Sequence, residues 1–253
     1  MTDPSLLIIH QGAQGDVVLT FRIYIKIMDL DNKLTALDQI YQIYDNFVSG
    51  LELACRKNCA YCCTTGVTLT TVEGYKLVKK LESEGNRQWI EKIEQAAKQP
   101  HFQLKMTTNQ LANMCAEGIE PPAEENTGWN RCPFLSNDLC PLYPVRPFGC
   151  RCLVSRHDCG KEGYAEIDDF VLSVNTLFLQ TIEHMDAGGC TGNLLDMLGV
   201  MALKENRQTY AEGKLKRLSA GLIANQPLKV LMIPPEHRTR IEPILQSLQN
   251  IRI

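Results

Sequence analysis

Ten of the eleven cysteines of this chain fall between Cys55 and Cys159, and only Cys190 lies outside that stretch. A core that used cysteine merely as a small apolar residue would scatter it. The 253 residues are ample for a buried core without covalent staples. Met1 to Gly12 offers only Leu6 to Ile9 as an apolar run, too short for a signal-peptide core and with no basic lead. The expected compartment is therefore the cytoplasm, where thiols stay reduced and clustered ones are kept for metals or catalysis rather than for disulfides. Metal is the leading reading.

The charge balance narrows the alternatives. Twenty-six Lys and Arg face 29 Asp and Glu, for a formal net charge of −3, and no basic run stands out. That argues against a protein built to hold nucleic acid, which needs a positive patch. No apolar stretch reaches the roughly 20 residues of a membrane-spanning helix.

The pattern along the chain is mainly helical, and no repeat is visible. Residues 17–27 alternate as a strand would, with Leu19, Phe21, Ile23, Ile25 and Ile27 on one face. Because a chain starting at Met28 reads equally well, residues 1–27 are treated as an extension and 28–253 as one domain. Leu34, Leu37, Tyr41, Tyr44 and Val48 recur at helical spacing within Lys33 to Val48, and Gly50 sits where a helix would stop. Thr70 and Glu73 have capping-box spacing and open a second helix. Trp89 to Lys98 and Thr108 to Glu117 read as helices, and 118–131 as loop. Four prolines between 132 and 159 (Pro133, Pro141, Pro144 and Pro147) deny a regular helix there. In the C-terminal part, 165–253, Ile167 to Met185 and Leu194 to Leu203 are apolar helices, Leu228 to Ile233 is a strand candidate, and Pro235 to Gln249 is a closing helix. The expected fold is a single mainly α domain with one or two short strands, whose irregular loops, at about 50–160, carry the cysteines.

Those cysteines form two groups. The first is Cys55, Cys59, Cys62 and Cys63, in which the two-residue gap from Cys59 to Cys62 lets a tight turn aim two sulfurs at one ion about 2.3 Å away. Adjacent Cys62 and Cys63 are expected to point apart. The second group is Cys132, Cys140, Cys150 and Cys152, with Cys159 a little beyond. Eight sulfurs suffice for two four-ligand sites and nine are on offer, so Cys152 and Cys159 compete for the last place. Four thiolates around zinc, or around an oxidised [4Fe–4S] core, leave the site doubly negative, and Arg146 and Arg151 are placed to offset that charge and to donate to sulfur. Neither group alone makes a pair of closed sites. The two are therefore expected to converge, with the helices between 70 and 117 folding back so that the centre staples the domain.

Taken together, Cys59-x-x-Cys62-Cys63 with Cys55 before it, followed by Cys132-Pro-Phe-Leu, Cys140-Pro-Leu-Tyr, Arg146-Pro147 and Cys150-Arg151, resembles the CxxCxxCC or YkgJ-like cysteine-cluster family. The resemblance covers roughly residues 50–160. It implies a bacterial protein whose cysteines chelate zinc or iron, the iron as a possible iron–sulfur cluster. Flagellin lysine N-methylases are similar in their cysteine block, so the resemblance also allows methyl transfer from S-adenosylmethionine. The first group departs from the family pattern in its three-residue gap after Cys55, and Cys152 adds a sulfur beside Cys150.

A second enzyme reading uses the same residues. Cys55-x3-Cys59-x-Tyr61-Cys62 matches the radical-SAM signature, in which three cysteines leave one iron of a [4Fe–4S] cluster open to S-adenosylmethionine. Such enzymes need a strand feeding the loop and a βα series after it, which the helical pattern does not provide. Of the remaining candidates, Cys115 is expected as a small core residue on its helix, Cys190 as a plain loop residue, and His157 as a surface side chain with a Cys3His site as its alternative. No phosphate-binding glycine loop, serine elbow or zinc-protease helix is present.

Overall fold

A computed structural model describes residues 28–85, 87–123, 129–215 and 221–252; the strand pattern at 17–27 lies outside them. The protein is mainly α, as expected. Its α-helices are α1 (Leu30–Ser49), α2 (Thr71–Ser83), α3 (Gln88–Ala97), α4 (Thr108–Ala116), α5 (Phe148–Arg151), α6 (Cys159–Glu162), α7 (Asp169–Met185), α8 (Leu194–Ala202), α9 (Lys204–Ala211) and α10 (Arg238–Gln249). Short polar side chains start several of them by accepting orphan amides: Asp29 takes the N–H of Asn32 at 2.9 Å, Asp168 that of Phe170 and Asn193 that of Leu195. At the head of α2 the Glu73 carboxylate accepts both the N–H and the hydroxyl of Thr70, at 2.8 and 2.9 Å.

Three short strands, β1 (Thr68–Thr70), β2 (Cys190–Asn193) and β3 (Leu222–Ala224), make one antiparallel sheet with β2 in the middle. Leu69 pairs with Gly192, and Thr191 with Ile223. One or two strands are expected from the sequence, and the strand candidate Leu228–Ile233 is not among those formed. Side chains of α7 take over the backbone groups that a neighbouring strand would otherwise serve. Gln180 donates to the carbonyl of Val230 at 2.7 Å and accepts the N–H of Met232 at 2.9 Å, while His184 Nδ1 accepts the N–H of Leu228. The closing helix begins three residues later than expected, after a 3₁₀ turn at Pro235–His237.

Apolar side chains gather in two clusters. In the first, α1, α7 and α10 pack Leu37, Ile40 and Tyr44 against Val174, Leu177, Phe178 and Ile241, Leu245. In the second, Leu69 of β1 meets Leu77, Val78 and Leu81 of α2, Trp89 and Ile93 of α3 and Leu195, Met197, Leu198 of α8. Phe134 and Leu142, from the second cysteine segment, are buried in this second cluster, with Cys132, Cys140 and Cys150 packed against it. Phe148 goes instead to the first cluster, stacked on Phe178 with ring centroids 5.5 Å apart and edge-on to Tyr44 at 4.8 Å. The cysteine segment is thereby nailed to both cores. Among the described residues no helix is long and apolar enough to cross a membrane.

Candidate metal centre

The two cysteine groups meet. The first loop, between α1 and β1, is stitched to the second segment at both of its ends. At the front, Ala54 N–H donates to the carbonyl of Ser155 at 2.9 Å, and Ser155 N–H donates to Cys55 Sγ at 3.2 Å. At the back, Cys132 N–H donates to the carbonyl of Cys63 at 3.0 Å, Thr65 N–H to that of Asn130 at 2.7 Å, and Thr64 and Arg131 form an antiparallel bridge. Turns hold the cysteines between: Cys59 N–H reaches the carbonyl of Arg56, and Cys63 N–H that of Ala60, each at 3.1 Å. Asn58 stands at the corner with φ 71°, a left-handed conformation that asparagine tolerates better than most residues.

Two residues that the cysteine pattern does not point to hold the second segment in place. Glu73, 3% exposed, accepts the Phe148 N–H at 2.7 Å and the Tyr41 hydroxyl at 2.7 Å, which fixes the start of the turn that bears Cys150. Ser155 is fully buried, and its hydroxyl accepts the N–H groups of His157 and Glu166. The capping pattern announces Glu73 but not its reach across 75 positions; nothing in the sequence marks Ser155. Between these anchors Gly149 passes close to β1. A Cβ there would lie 2.5 Å from the carbonyl oxygen of Thr68 and 2.9 Å from Val67.

The thiols themselves are half-buried, except Cys159 and Cys190, which are buried, and Cys115, which is exposed. None is in a disulfide. Burial pushes the Cys132 thiol up to about 11 and raises those of Cys55, Cys140 and Cys150, because a thiolate loses hydration there. The N–H of Ser155 pulls Cys55 part of the way back, and the Arg146 charge does the same for Cys140. The side chains of Cys62 and Cys63, expected to point apart, are close enough to act on each other, which raises the Cys62 thiol and lowers that of Cys63. The neighbours acting on Cys55 are Cys62, Cys159 and Cys59; those acting on Cys63 are Cys150, Cys132 and Cys140. Cys62 is close enough to act on Cys150 and Cys152 as well.

Several expected residues stand elsewhere. Arg151 gives nothing to sulfur. Its guanidinium is paired with both oxygens of Asp45 at 2.8 and 3.0 Å, donates to the carbonyls of Arg146 and Pro144, and lies over the Tyr41 ring. Arg146 stays beside Cys140, donating to the carbonyl of Tyr143 and covering that ring. Cys152 faces the first apolar cluster, its Sγ 3.5 Å from the Gly149 carbonyl and its thiol pushed up to about 12 by burial. Cys115 is exposed on α4 rather than in a core, and Cys190 is a fully buried residue of β2 rather than of a loop, with Thr71 Oγ1 3.1 Å from its sulfur. His157 places both ring nitrogens out of solvent without a hydrogen bond, its ring edge-on to Tyr164 and 3.9 Å from the Glu166 carboxylate.

Among the described residues no three His, Cys, Asp or Glu side chains are arranged to hold one metal ion. The residue chemistry is that of a soft-metal site all the same: backbone hydrogen bonds join the two thiol-bearing segments, and the Arg146 charge lies beside Cys140. Soft thiolates select zinc and iron–sulfur clusters over hard cations. Comparison with protein families, with curated proteins and with solved structures finds no match to this chain. The likeness to the cysteine-cluster family accordingly rests on the motifs themselves.

Proposed function

We propose that this protein binds zinc or iron, the iron as an iron–sulfur cluster, through Cys55, Cys59, Cys62, Cys63, Cys132, Cys140, Cys150 and Cys159, and that the metal staples the two cysteine segments to each other. The observation that carries the reading is the convergence itself. A chain spends backbone hydrogen bonds at both ends of the first loop to bring thiols 69 positions apart, Cys63 and Cys132, into adjacent strands of backbone. Packing alone gives no reason to gather seven half-buried thiols and the buried Cys159 on two segments joined to each other. Bound metal gives one, since each thiolate then gains a coordination bond that replaces lost hydration. Between Cys152 and Cys159 we take Cys159, which is near enough to act on the Cys55 thiol, whereas Cys152 turns into the core.

A second reading, an enzyme that uses S-adenosylmethionine on a cluster, has one observation in its favour. A cleft of about 440 Å³ opens beside the thiols, lined by Cys59, Tyr61, Cys63, Arg131, Asp138 and Asp158. A catalytic centre keeps an open coordination position next to such a cavity, while a structural one is closed. Against the radical version, the described strands are all antiparallel and supply no βα series.

Elemental analysis of protein isolated without oxygen tests the primary reading. It is expected to find zinc in a colourless solution, or iron with acid-labile sulfide in a brown one. Protein that carries neither, and takes up neither on reconstitution, overturns it. Calorimetry with S-adenosylmethionine on the reconstituted protein separates the second reading, which falls if no heat of binding is seen at millimolar ligand.

A further inference from the structure

A larger cleft, of about 750 Å³, opens where the chain leaves α1 and where it enters α7. Its walls are separately fixed. Residues 50–54 follow α1, with the Leu51 N–H on the Val48 carbonyl at 3.0 Å and the Ala54 N–H on that of Ser155 at 2.9 Å. Arg156 stands on the next wall, its N–H on the Glu166 carbonyl at 2.9 Å. Residues 166–168 lead into α7, which Asp168 caps through the Phe170 N–H. Arg240, in the first turn of α10, completes the lining, its guanidinium 3.8 Å from the centre of the Phe170 ring. A ring takes up the flat side of a guanidinium and leaves its N–H edge for other partners.

Charged side chains of both signs line this cleft: Arg156 and Arg240, with Glu52, Glu166 and Asp168. Among the described residues no ion pair joins either arginine to a carboxylate. Both signs are therefore presented to whatever enters. Two guanidinium groups against three carboxylates leave the lining at a formal −1. A phosphate or polyanion would meet the carboxylates, and a polyamine would meet the arginines. A ligand with one carboxylate and one ammonium finds partners for both ends, since the guanidinium fork matches a carboxylate and the carboxylates accept from an ammonium. The volume is in the range that takes a drug-sized ligand, more than a small free amino acid fills. We propose that this cleft binds a short peptide with both ends free, its carboxylate held by Arg156 and Arg240 and its ammonium by Glu52 and Glu166. The site needs no metal and stands apart from the thiol chemistry.

The test is calorimetry on the full-length protein as isolated, in low-salt buffer, with trialanine as the probe. Its N-acetylated and C-amidated forms, free alanine and inorganic phosphate are the comparisons. Trialanine is expected to bind more tightly than all four. Arg156→Gln and Arg240→Gln should each weaken trialanine about fivefold, the scale of one partly exposed ion pair, while binding the amidated peptide as the wild type does. Lys98→Gln, an exposed cation outside the cleft, should change nothing. Hydrogen exchange should slow at 50–54 and 166–171 when peptide is bound. Circular dichroism establishes that each variant is folded; Glu52→Gln and Glu166→Gln, which should weaken trialanine but not its acetylated form, replace any that is not. No binding at millimolar trialanine, equal binding of the blocked peptides, or affinity unchanged in both folded arginine variants overturns the proposal. Free alanine or phosphate binding at least as tightly overturns it as well, in favour of a smaller ligand. None of these outcomes touches the metal-binding reading.

Discussion

The backbone N–H of Cys132 donates to the carbonyl of Cys63 at 3.0 Å, across 69 positions of chain. This hydrogen bond puts the last cysteine of the first group beside the first cysteine of the second. The chain between them is not a slack linker. It forms β1 and α2 to α4, and the apolar faces of β1, α2 and α3 build much of the second core. The thiol-bearing face is therefore an edge of the folded domain, held from beneath by Phe134, Leu142 and Phe148.

Gly149 is the tightest point of that arrangement. Gly149→Ala pushes a methyl into the Thr68 carbonyl, which belongs to a paired strand and cannot retreat. Overpacking of this kind costs about 2–3 kcal/mol, and it should displace the turn that carries Cys150. Denaturant unfolding is expected to show the loss, with reduced metal content in the same variant. Gly188→Ala, where an added Cβ meets nothing within 4 Å, should change stability by no more than about 0.5 kcal/mol.

Arg151 acts through structure. Its side chain is 5% exposed and holds Asp45 of α1 and two carbonyls of the second segment. Arg151→Gln leaves these partners short of a charged donor, for a loss of about 1–3 kcal/mol. The number of metal ions per folded chain should stay the same. A variant that folds normally but loses metal would show that Arg151 instead compensates the thiolate charge.

His184 predicts an acid-side dependence of stability. Burial holds its imidazole down at about 4, and Nδ1 accepts the Leu228 N–H, a role only the unprotonated nitrogen performs. The unfolded chain binds the proton near 6.5 and the folded chain only near 4, so stability falls as pH drops through that window. Between pH 7 and pH 4 this amounts to roughly 3 kcal/mol. His184→Asn keeps an acceptor without the titration. Wild type should therefore lose roughly 3 kcal/mol more than the variant over this range in paired urea melts; equal losses would contradict the assignment.

Cys190 and Cys115 exchange the roles their sequence surroundings assign them. Cys190→Ser places a hydroxyl in a fully buried site where Thr71 can partner it, at a cost of about 1 kcal/mol. Cys115→Ser, on the exposed side of α4, should be neutral within about 0.5 kcal/mol. Neither should alter metal content, which elemental analysis of both variants checks.

Much of this was legible in the residues, for identifiable reasons. The long helices announce themselves through apolar spacing and through caps such as Thr70 with Glu73, both of which are local. Convergence of the two cysteine groups was legible because neither group alone closes a pair of four-sulfur sites. The strands were not, since three- and four-residue strands are too short to show alternation. Leu228 to Ile233 misled because the partners of its backbone, Gln180 and His184, come from a helix about 50 positions earlier. Arg151 misled for the same reason. Its nearest cysteines are neighbours in sequence, but its true partner Asp45 lies 106 positions away. Contacts between distant segments leave no local pattern.

The most direct test of the central claim is residue-resolved alkylation of the thiols, read by mass spectrometry, on metal-loaded and on chelator-stripped protein. Cys115 is exposed and serves as the internal standard of free reactivity, and Cys190 as the standard of burial. With metal present, Cys55, Cys59, Cys62, Cys63, Cys132, Cys140, Cys150 and Cys159 should be protected while Cys115 reacts. After stripping, the half-buried members of that set should react, with Cys190 still protected. Alkylation of the eight at the rate of Cys115 in metal-loaded protein would contradict the account.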